Sequence, residues 1–549
     1  MDYKYLAELL FPHVTLGPED MEKRYPPRNL PEGAVVSRHA PSPTGYVHLG
    51  NIVQSLTSER VCHQSGGVMY LRIEDTDTKR EVKGAVGALI DSLAHYKIKF
   101  DEGATADGEI GAYGPYRQRQ RRDIYHVYAK HLVLQGKAYP CFCTAGELEA
   151  IREHQRAEKA NLGYWGPWAV WRDRPFEDIE NALKADRPWV LRFRSSGSIK
   201  NKYKFYDLIK GEIDITENEI DIVLLKSDGI PTYHFAHVVD DHLMRTTHVI
   251  RADEWIASLP VHIQLFRALG FKLPEYAHIG PIMIMDGSSK RKISKRKDPQ
   301  FGLIYYKKSG YPVEAVYEYV LTILNSNFED WRRANPDAPA EKFPFSLRKM
   351  NPAGSLFDAA KLSDISKNVV SKMTADKIYA DLLEWAKEFE PPFATALSAD
   401  PEYAKAIISI GRGGKKPRKD YGTWAELREY MRLFYYDTFT IVDKYPEGAD
   451  KDDIKATLKR FLETYDPADE QGVWFAKIKS IASSLGYAAE MKEYKANPGA
   501  WRGSVADISM FLRVALTGKL SSPDMYAVMQ ILGKTRVRQR LEAMLSRLG

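Results

Sequence analysis

The sequence predicts a multidomain protein with an open α/β sheet in its first half, interrupted by an inserted α/β segment, and an all-helical second half. Three observations lead there. Two buried-strand runs, Val68-Met69-Tyr70-Leu71-Arg72-Ile73 and Ile222-Val223-Leu224-Leu225, flank a stretch in which the strand–helix rhythm breaks down after about residue 112. Beyond about residue 310 strand signals fade and helical periodicity dominates. A chain of 549 residues, 44% hydrophobic and 28% charged, is long enough for more than one core.

The elements follow in order. Residues 1–33 read as an appended helix and a connector rich in proline (Pro26, Pro27, Pro31). Val35-Val36 starts a strand that runs into a turn at Pro41 to Gly45. Ile52 to Cys62 reads as a helix ended by Gly66-Gly67, and the strand from Val68 carries Glu74-Asp75-Thr76-Asp77 at its carboxyl end. Polar groups at the carboxyl ends of strands are where open α/β sheets bind ligands. The interrupting stretch contains an aromatic run (Tyr164, Trp165, Trp168, Trp171). Ala456 to Tyr465 and Asp507 to Leu516 are clear helical segments. Pro352, Pro391-Pro392 and Pro446 mark candidate subdomain boundaries.

Composition narrows the function classes. Lys+Arg 79 against Asp+Glu 73 gives +6, which permits a nucleic-acid partner without arguing for one. Three cysteines exclude a disulfide scaffold and fit a reducing compartment. The chain contains no apolar run of about 18 residues, so no membrane span is expected. Acids interrupt the short apolar N-terminal stretch, which argues against a signal peptide and for a cytoplasmic location.

Two motifs carry the chemistry. Arg38-His39-Ala40-Pro41-Ser42-Pro43-Thr44-Gly45-Tyr46-Val47-His48-Leu49-Gly50-Asn51 is a strand end, a stiff turn and a helix start. Gly45 and Gly50 admit a ligand close to the backbone, the helix offers N-terminal amides to an anion, and His48 can donate to a phosphate oxygen. Lys292-Ile293-Ser294-Lys295-Arg296 is a run of cations with a hydroxyl, preceded by an Asp286-Gly287-Ser288-Ser289 turn. Alone, a basic run is as readily a solvated loop. Together the two motifs can hold a nucleoside triphosphate from both sides, because phosphoryl chemistry asks the protein chiefly for positioning and cations.

With these residues in place, the chain resembles class I aminoacyl-tRNA synthetases, and within them bacterial-type glutamyl-tRNA synthetases. Further matching segments are Leu71 to Asp77, Leu225 to Ala236, Val238 to Met244, Ile250 to Trp255, Arg513 to Gly518 and Ile531 to Lys534. The resemblance implies a Rossmann-like catalytic domain (34–112 and 228–287), an inserted acceptor-stem-binding domain (113–227), a stem-contact domain carrying the mobile loop (288–372) and helical anticodon-binding domains (373–549), with 1–33 as an extension. It implies ATP-dependent activation of L-glutamate and transfer to the terminal adenosine of tRNA-Glu, with tRNA-Gln left open. ATP, magnesium and tRNA are the implied partners; DNA is not, and a monomer is expected. His48, Lys292, Ser294 and Lys295 are the implied catalytic residues. Gly50, Asn51, Glu254 and Arg296 join His48 and Lys295 around ATP. Arg38, Ala40, Ser42, Glu74, Tyr233, His237 and Arg251 surround glutamate, with the Arg251 guanidinium for the side-chain carboxylate and Glu74 for the ammonium. The bland alternative for Arg251 is an ion pair with Asp253 or Glu254.

Three features depart from the family. His237 stands where Asn is common, and imidazole can be charged. His39 replaces an apolar residue. Cys141 and Cys143 resemble half of a zinc site present in some members, but no further Cys or His follows near Tyr164, so zinc is not expected and a remnant packed by tryptophans is. In the helical half, Arg412, Lys416 and Arg418 form the densest basic cluster and are the anticodon candidates; Arg536, Arg538 and Arg540 add a second cluster. The rivals are a glutaminyl-tRNA synthetase, against which the Ala-Pro-Ser-Pro stretch and the helical second half argue, and a tRNA-binding protein without catalysis.

Overall fold

The computed structural model describes residues 2–43, 47–77, 82–293, 297–414, 417–435 and 438–549. They form two compact units, Met1–Leu303 with Tyr317–Asp358 and Ile304–Val316 with Ala359–Gly549.

The first unit begins with α1 (Tyr3–Leu10) and α2 (Pro18–Arg24), followed by β1 (Val36–His39), α3 (Leu49–Gln64), β2 (Val68–Leu71), β3 (Glu102–Ala104) and α4 (Arg122–Leu134). A hairpin, β4 (Lys202–Asp207) and β5 (Gly211–Thr216), precedes α5 (Tyr233–Leu243), β6 (His248–Ala252), α6 (Leu259–Leu269) and β7 (Glu275–Ile279). A second hairpin, β8 (Ile282–Asp286) and β9 (Ser289–Lys292), follows. Strands β1, β2 and β3 pair in parallel, as do β6 and β7. A bond from Thr247 N–H to the Val36 carbonyl (2.9 Å) brings β6 alongside β1. The chain therefore leaves β1 toward β2 on one side and returns as β6 on the other. That reversal opens a crevice at the carboxyl ends of β1 and β6.

Strand β1 is buried throughout although three of its residues, Ser37, Arg38 and His39, are polar. A central parallel strand is covered on both faces, so these side chains must find partners inside the protein. The helix after β1 starts three residues earlier than the apolar pattern suggests, at Leu49, because His48 caps it. Its end is fixed by Gly66-Gly67: a Cβ on Gly67 would lie 1.9 Å from the Val35 carbonyl oxygen, so only glycine lets the chain pass there.

The interrupting stretch forms a three-stranded antiparallel sheet from Ala138–Cys141, Val190–Phe193 and Val223–Leu225. The first 33 residues tie α4, the end of α5 and β3 together. Glu8 pairs with Lys130 on α4 (2.9 Å). Glu22 holds His242 (2.6 Å) and Arg245 (2.7 Å) at the end of α5, and Arg28 forks onto Glu102 on β3 (2.7 and 2.9 Å).

The second unit is helical, with one apolar core running from Val370 to Met544. That core spans two of the three candidate boundaries, Pro391-Pro392 and Pro446. Pro391 opens the helix Pro391–Ala399, where its missing N–H costs nothing, so Pro391-Pro392 starts an element and does not divide the core. Among the described residues no helix is long and apolar enough to cross a membrane.

Candidate active site

The crevice has an ionic floor. Asp241 receives Arg72 Nη1 (2.5 Å) and Arg38 Nε (3.3 Å); Asp240 receives Arg121 Nε (2.6 Å) and the Tyr125 hydroxyl (2.9 Å). Arg72 Nη2 donates to Glu74 (3.0 Å). Three guanidinium groups thus meet three carboxylates, all buried. Burial opposes ionisation of Asp241, but Arg38 and Arg72 more than offset it and hold its carboxyl well below the usual range. Burial raises the Glu74 carboxyl, with Arg72 and Arg38 opposing. Its side chain still lies at the crevice, where an ammonium group would favour its charged form. Breaking such a buried pair typically costs about 3–5 kcal/mol, because the remaining charge is stranded.

Arg251, on β6, is different. It is 3% exposed, yet among the described residues no carboxylate reaches its guanidinium. The two acids next to it in sequence are engaged elsewhere: Asp253 holds Lys210 Nζ (3.0 Å) and Glu254 holds Lys292 Nζ (3.0 Å). Its partners are all neutral. Nε donates to His278 Nε2 (3.1 Å), Nη1 to His262 Nδ1 (3.2 Å) and the Tyr233 hydroxyl (3.4 Å), and Nη2 to the Trp255 carbonyl (3.3 Å). The bonds fix the imidazole tautomers, since an imidazole nitrogen facing a guanidinium N–H must accept. His278 therefore carries its proton on Nδ1, which donates to Asp207 (2.6 Å); His262 carries its proton on Nε2, which donates to His234 Nδ1 (3.0 Å). Burial, with the Arg251 charge adding to it, lowers the pKa of both rings.

His237 lies behind this layer. It is fully buried, stacked under Tyr233 (5.7 Å, 13°), with Nδ1 2.8 Å from Asp241 and Nε2 3.3 Å from the Tyr276 hydroxyl. Burial pushes its pKa down to about 3 against the pull of Asp241. The charge that the sequence allowed there is excluded at neutral pH. Tyr233 stands half-buried against Trp255 (4.4 Å), Ala40 is half-buried, and Ser42 is exposed.

At the amino end of α3, His48 is the N-cap. Its Nδ1 accepts from Gly50 N–H (3.0 Å), leaving the proton on Nε2, the atom turned away from the helix. Gly50 makes this possible: a Cβ there would sit 2.8 Å from His48 Cε1. Asn51 Oδ1 accepts from the His48 backbone N–H (3.0 Å), so this side chain closes the first turn of the helix. The β8–β9 hairpin turns at Gly287 (φ +61°) as expected and brings Lys292 to Glu254, an exposed pair that a ligand can exchange. Gly45, Ser294, Lys295, Arg296 and Lys416 lie outside the described residues.

The helical unit does not present its arginines as the sequence suggested. Arg412 turns inward, donating to the carbonyls of Val370 (2.8 Å), Ser371 (3.4 Å) and Met373 (3.1 Å) and to the Tyr421 hydroxyl (3.1 Å). It caps the end of the helix Ala359–Lys372 and is not free to read a base. Arg418 forks onto Asp420 at the surface (2.7 and 2.9 Å).

The cysteine pair does not fit a closed zinc site. Cys141 and Cys143 Sγ both face the Tyr164 hydroxyl (3.4 and 3.5 Å), and His154 is exposed beside Glu158. Two thiols and a phenol do not supply the four ligands such a site takes. The sequence reading missed Asp207, Asp241, His262 and His278. One signal pointed there: all 14 histidines lie at or before residue 278.

Comparison with known proteins places these features. Residues 34–329 match the family described as tRNA synthetases class I (E and Q), catalytic domain, and residues 382–545 match an anticodon binding domain. The chain is 50% identical over 546 residues to the glutamate–tRNA ligase of Acetivibrio thermocellus, covering 99% of this chain and 100% of that one. It is 47% identical to the glutamate–tRNA ligase of Sorangium cellulosum, covering 95% and 97%. The crystal structure of a glutamate tRNA ligase from Elizabethkingia meningosepticum, in complex with its amino acid, superposes with a TM-score of 0.76 at 27% identity, covering 94% of this chain and 100% of that one.

Proposed function

The chain belongs to the class I tRNA synthetases (E and Q), and on that premise we propose that it is a glutamate–tRNA ligase whose amino-acid pocket is built around Arg251. One observation carries the reading: a buried guanidinium with no carboxylate of its own among the described residues. Such a group is stabilised by an anionic ligand and rejects a neutral isostere, because an amide would leave the charge unpaired.

The reaction has two steps. The α-carboxylate of glutamate attacks the α-phosphate of ATP, forming a mixed anhydride and releasing pyrophosphate. A hydroxyl of the terminal adenosine of tRNA then attacks the activated carbonyl, and AMP leaves. The substrate supplies the first nucleophile, so the protein needs no activated serine or cysteine. ATP enters as its magnesium complex, which neutralises triphosphate charge. His48 Nε2–H donates to a phosphate oxygen, and Gly50 keeps the imidazole in that orientation. Lys292, Ser294, Lys295 and Arg296 gather on the phosphates, with Glu254 exchanging its Lys292 contact for the nucleoside. Arg38, Ala40, Ser42 and Tyr233 shape the pocket. Glu74 holds the ammonium group, and His237 keeps Tyr233 in place from behind.

Residues 113–227 are assigned to the acceptor stem, 288–372 to the stem and 373–549 to the anticodon. Arg418 is the better anticodon candidate, because an exposed Asp420 pair is readily exchanged for phosphate. The enzyme is read as a cytoplasmic monomer. The test is charging of purified tRNA-Glu and tRNA-Gln with labelled glutamate, with glutamine in parallel. Glutamate on tRNA-Glu supports the reading; glutamine charging, or none, ends it.

A further inference from the structure

Among the described residues, Arg251 is the one buried arginine of the crevice that meets a carboxylate only at second hand. Arg38, Arg72 and Arg121 each touch Asp240 or Asp241 directly. Between Arg251 and the nearest carboxylate in its hydrogen-bond chain, Asp207, stands one imidazole, that of His278. Asp207 ends β4, on a hairpin far from β6 in sequence, and is built to stay in place. It accepts the backbone N–H groups of Ile209 (2.9 Å), Lys210 (2.8 Å) and His278 (3.1 Å) as well as the His278 ring. Its four donors leave it fully engaged, and His278 itself is fully buried.

We propose that Asp207 and His278 are positioning residues that aim the Arg251 guanidinium at the side-chain carboxylate of the amino-acid substrate while leaving its charge unneutralised. The proposal deepens the glutamate reading above and rests on it. The physical reason is a competition. A carboxylate placed directly on Arg251 would orient the fork equally well, but it would also satisfy it, and glutamate would then have to displace an internal ion pair. A neutral imidazole accepts one N–H, fixes the plane of the guanidinium and leaves the positive charge for the ligand. Asp207 is needed because it decides which imidazole nitrogen carries the proton. Without it the ring can present N–H to N–H, and the orientation is lost. His262, held by His234, does the same for Nη1 from the other side.

The test uses full-length enzyme and steady-state aminoacylation of tRNA-Glu, measuring KM for glutamate, KM for ATP, kcat and melting temperature. His278→Phe fills the space without an acceptor and should raise KM for glutamate about tenfold or more, since small misplacements of a binding group cost that much or more. KM for ATP should stay within about threefold, the split expected of a residue acting on one substrate only. Asp207→Asn should behave alike, because its carbonyl stays on the Ile209 and Lys210 N–H groups and its amide N–H then faces His278 Nδ1, favouring the wrong tautomer. His278→Gln, whose amide offers an acceptor toward Arg251 and a donor toward Asp207, should recover most of the loss. His278→Phe with unchanged KM for glutamate overturns the proposal. So does His278→Gln impaired as badly as His278→Phe with both KM values rising together, the pattern of a merely structural residue. If the wild-type enzyme charges no tRNA with glutamate, the functional reading falls and this proposal with it. An active wild type with indifferent variants sinks this proposal alone.

Discussion

The two units of this protein spend their buried polar groups in opposite ways. The first contains all 14 histidines and, in its crevice, sets arginines against carboxylates or leaves one waiting for a ligand. The second contains no histidine. Its inward-turned arginines finish helix ends: half-buried Arg412 takes carbonyls from residues 370–373, and buried Arg540 takes those of Leu516 and Leu433 (2.6 Å each) with its guanidinium over Phe439 (3.6 Å). Burial, with the Arg536 charge adding to it and Tyr403 opposing, lowers the Arg540 pKa to about 10. An arginine satisfied by backbone carbonyls is scaffold. One surrounded by neutral rings in a crevice is a receptor. Burial does not separate the two; the chemistry of the acceptors does.

The contrast can be broken most directly at Arg251. Arg251→Ala should lower kcat/KM for glutamate by about 10³-fold or more, as removal of a desolvated charge partner does, with ATP binding little changed. Aminoacylation kinetics check it, and equal losses for both substrates would end the distinction. Arg251→Met should leave the melting temperature of the unliganded protein unchanged or raise it, since it removes a buried charge that has no counter-ion among the described residues. Next in size, Gly50→Ala should reduce kcat by about 10²-fold by displacing the His48 imidazole, within the range that proton donors contribute. Circular dichroism should show the helix intact, because alanine favours it. Arg412→Ala tests the scaffold side: urea melts should show a loss of about 1–3 kcal/mol from stranded carbonyls, while KM for glutamate stays put.

A further effect concerns acid. The His39 and His237 rings are held near pKa 3 by burial, against about 6.5 in an unfolded chain. In that window the unfolded state binds the proton and the folded state does not. Stability is therefore complete above about pH 6.5 and is lost as pH falls toward 3. The helical unit has no histidine to contribute, so urea proteolysis at pH 7.5 and pH 5 should show the first unit weakening preferentially. Among the described residues neither His39 ring nitrogen has a hydrogen-bond partner, so His39→Phe should flatten part of that acid slope. An unchanged slope would show that the buried imidazoles do not drive it.

Much of the fold was legible. The run Val68 to Ile73 contains β2, Ala456 to Tyr465 falls within the helix Lys451–Thr464 but for its last residue, and Asp507 to Leu516 lies inside Val505–Thr517. Each has a local cause, in apolar periodicity or a cap. The Asp286-Gly287 turn was equally readable, because a positive φ asks for glycine. Arg251 could be singled out on the family resemblance. Its isolation from Asp253 and Glu254 could not, since those acids are drawn away by Lys210 and Lys292, residues some 40 positions distant. Arg412 misled because a cluster of cations looks alike whether it faces solvent or a helix end.

By itself the sequence determined the stiff turn and helix start around His48 and Gly50, the helical second half, and the residue types gathered at the carboxyl ends of β1 and β6. These depend on neighbours within a few positions, where spacing and backbone geometry decide the outcome. Only the tertiary structure decided which arginines are neutralised. Asp207, His262 and His278 reach Arg251 from a hairpin, a helix and a strand. Ionic pairing depends on distances of a few ångströms between groups far apart in the chain, and no local pattern encodes them.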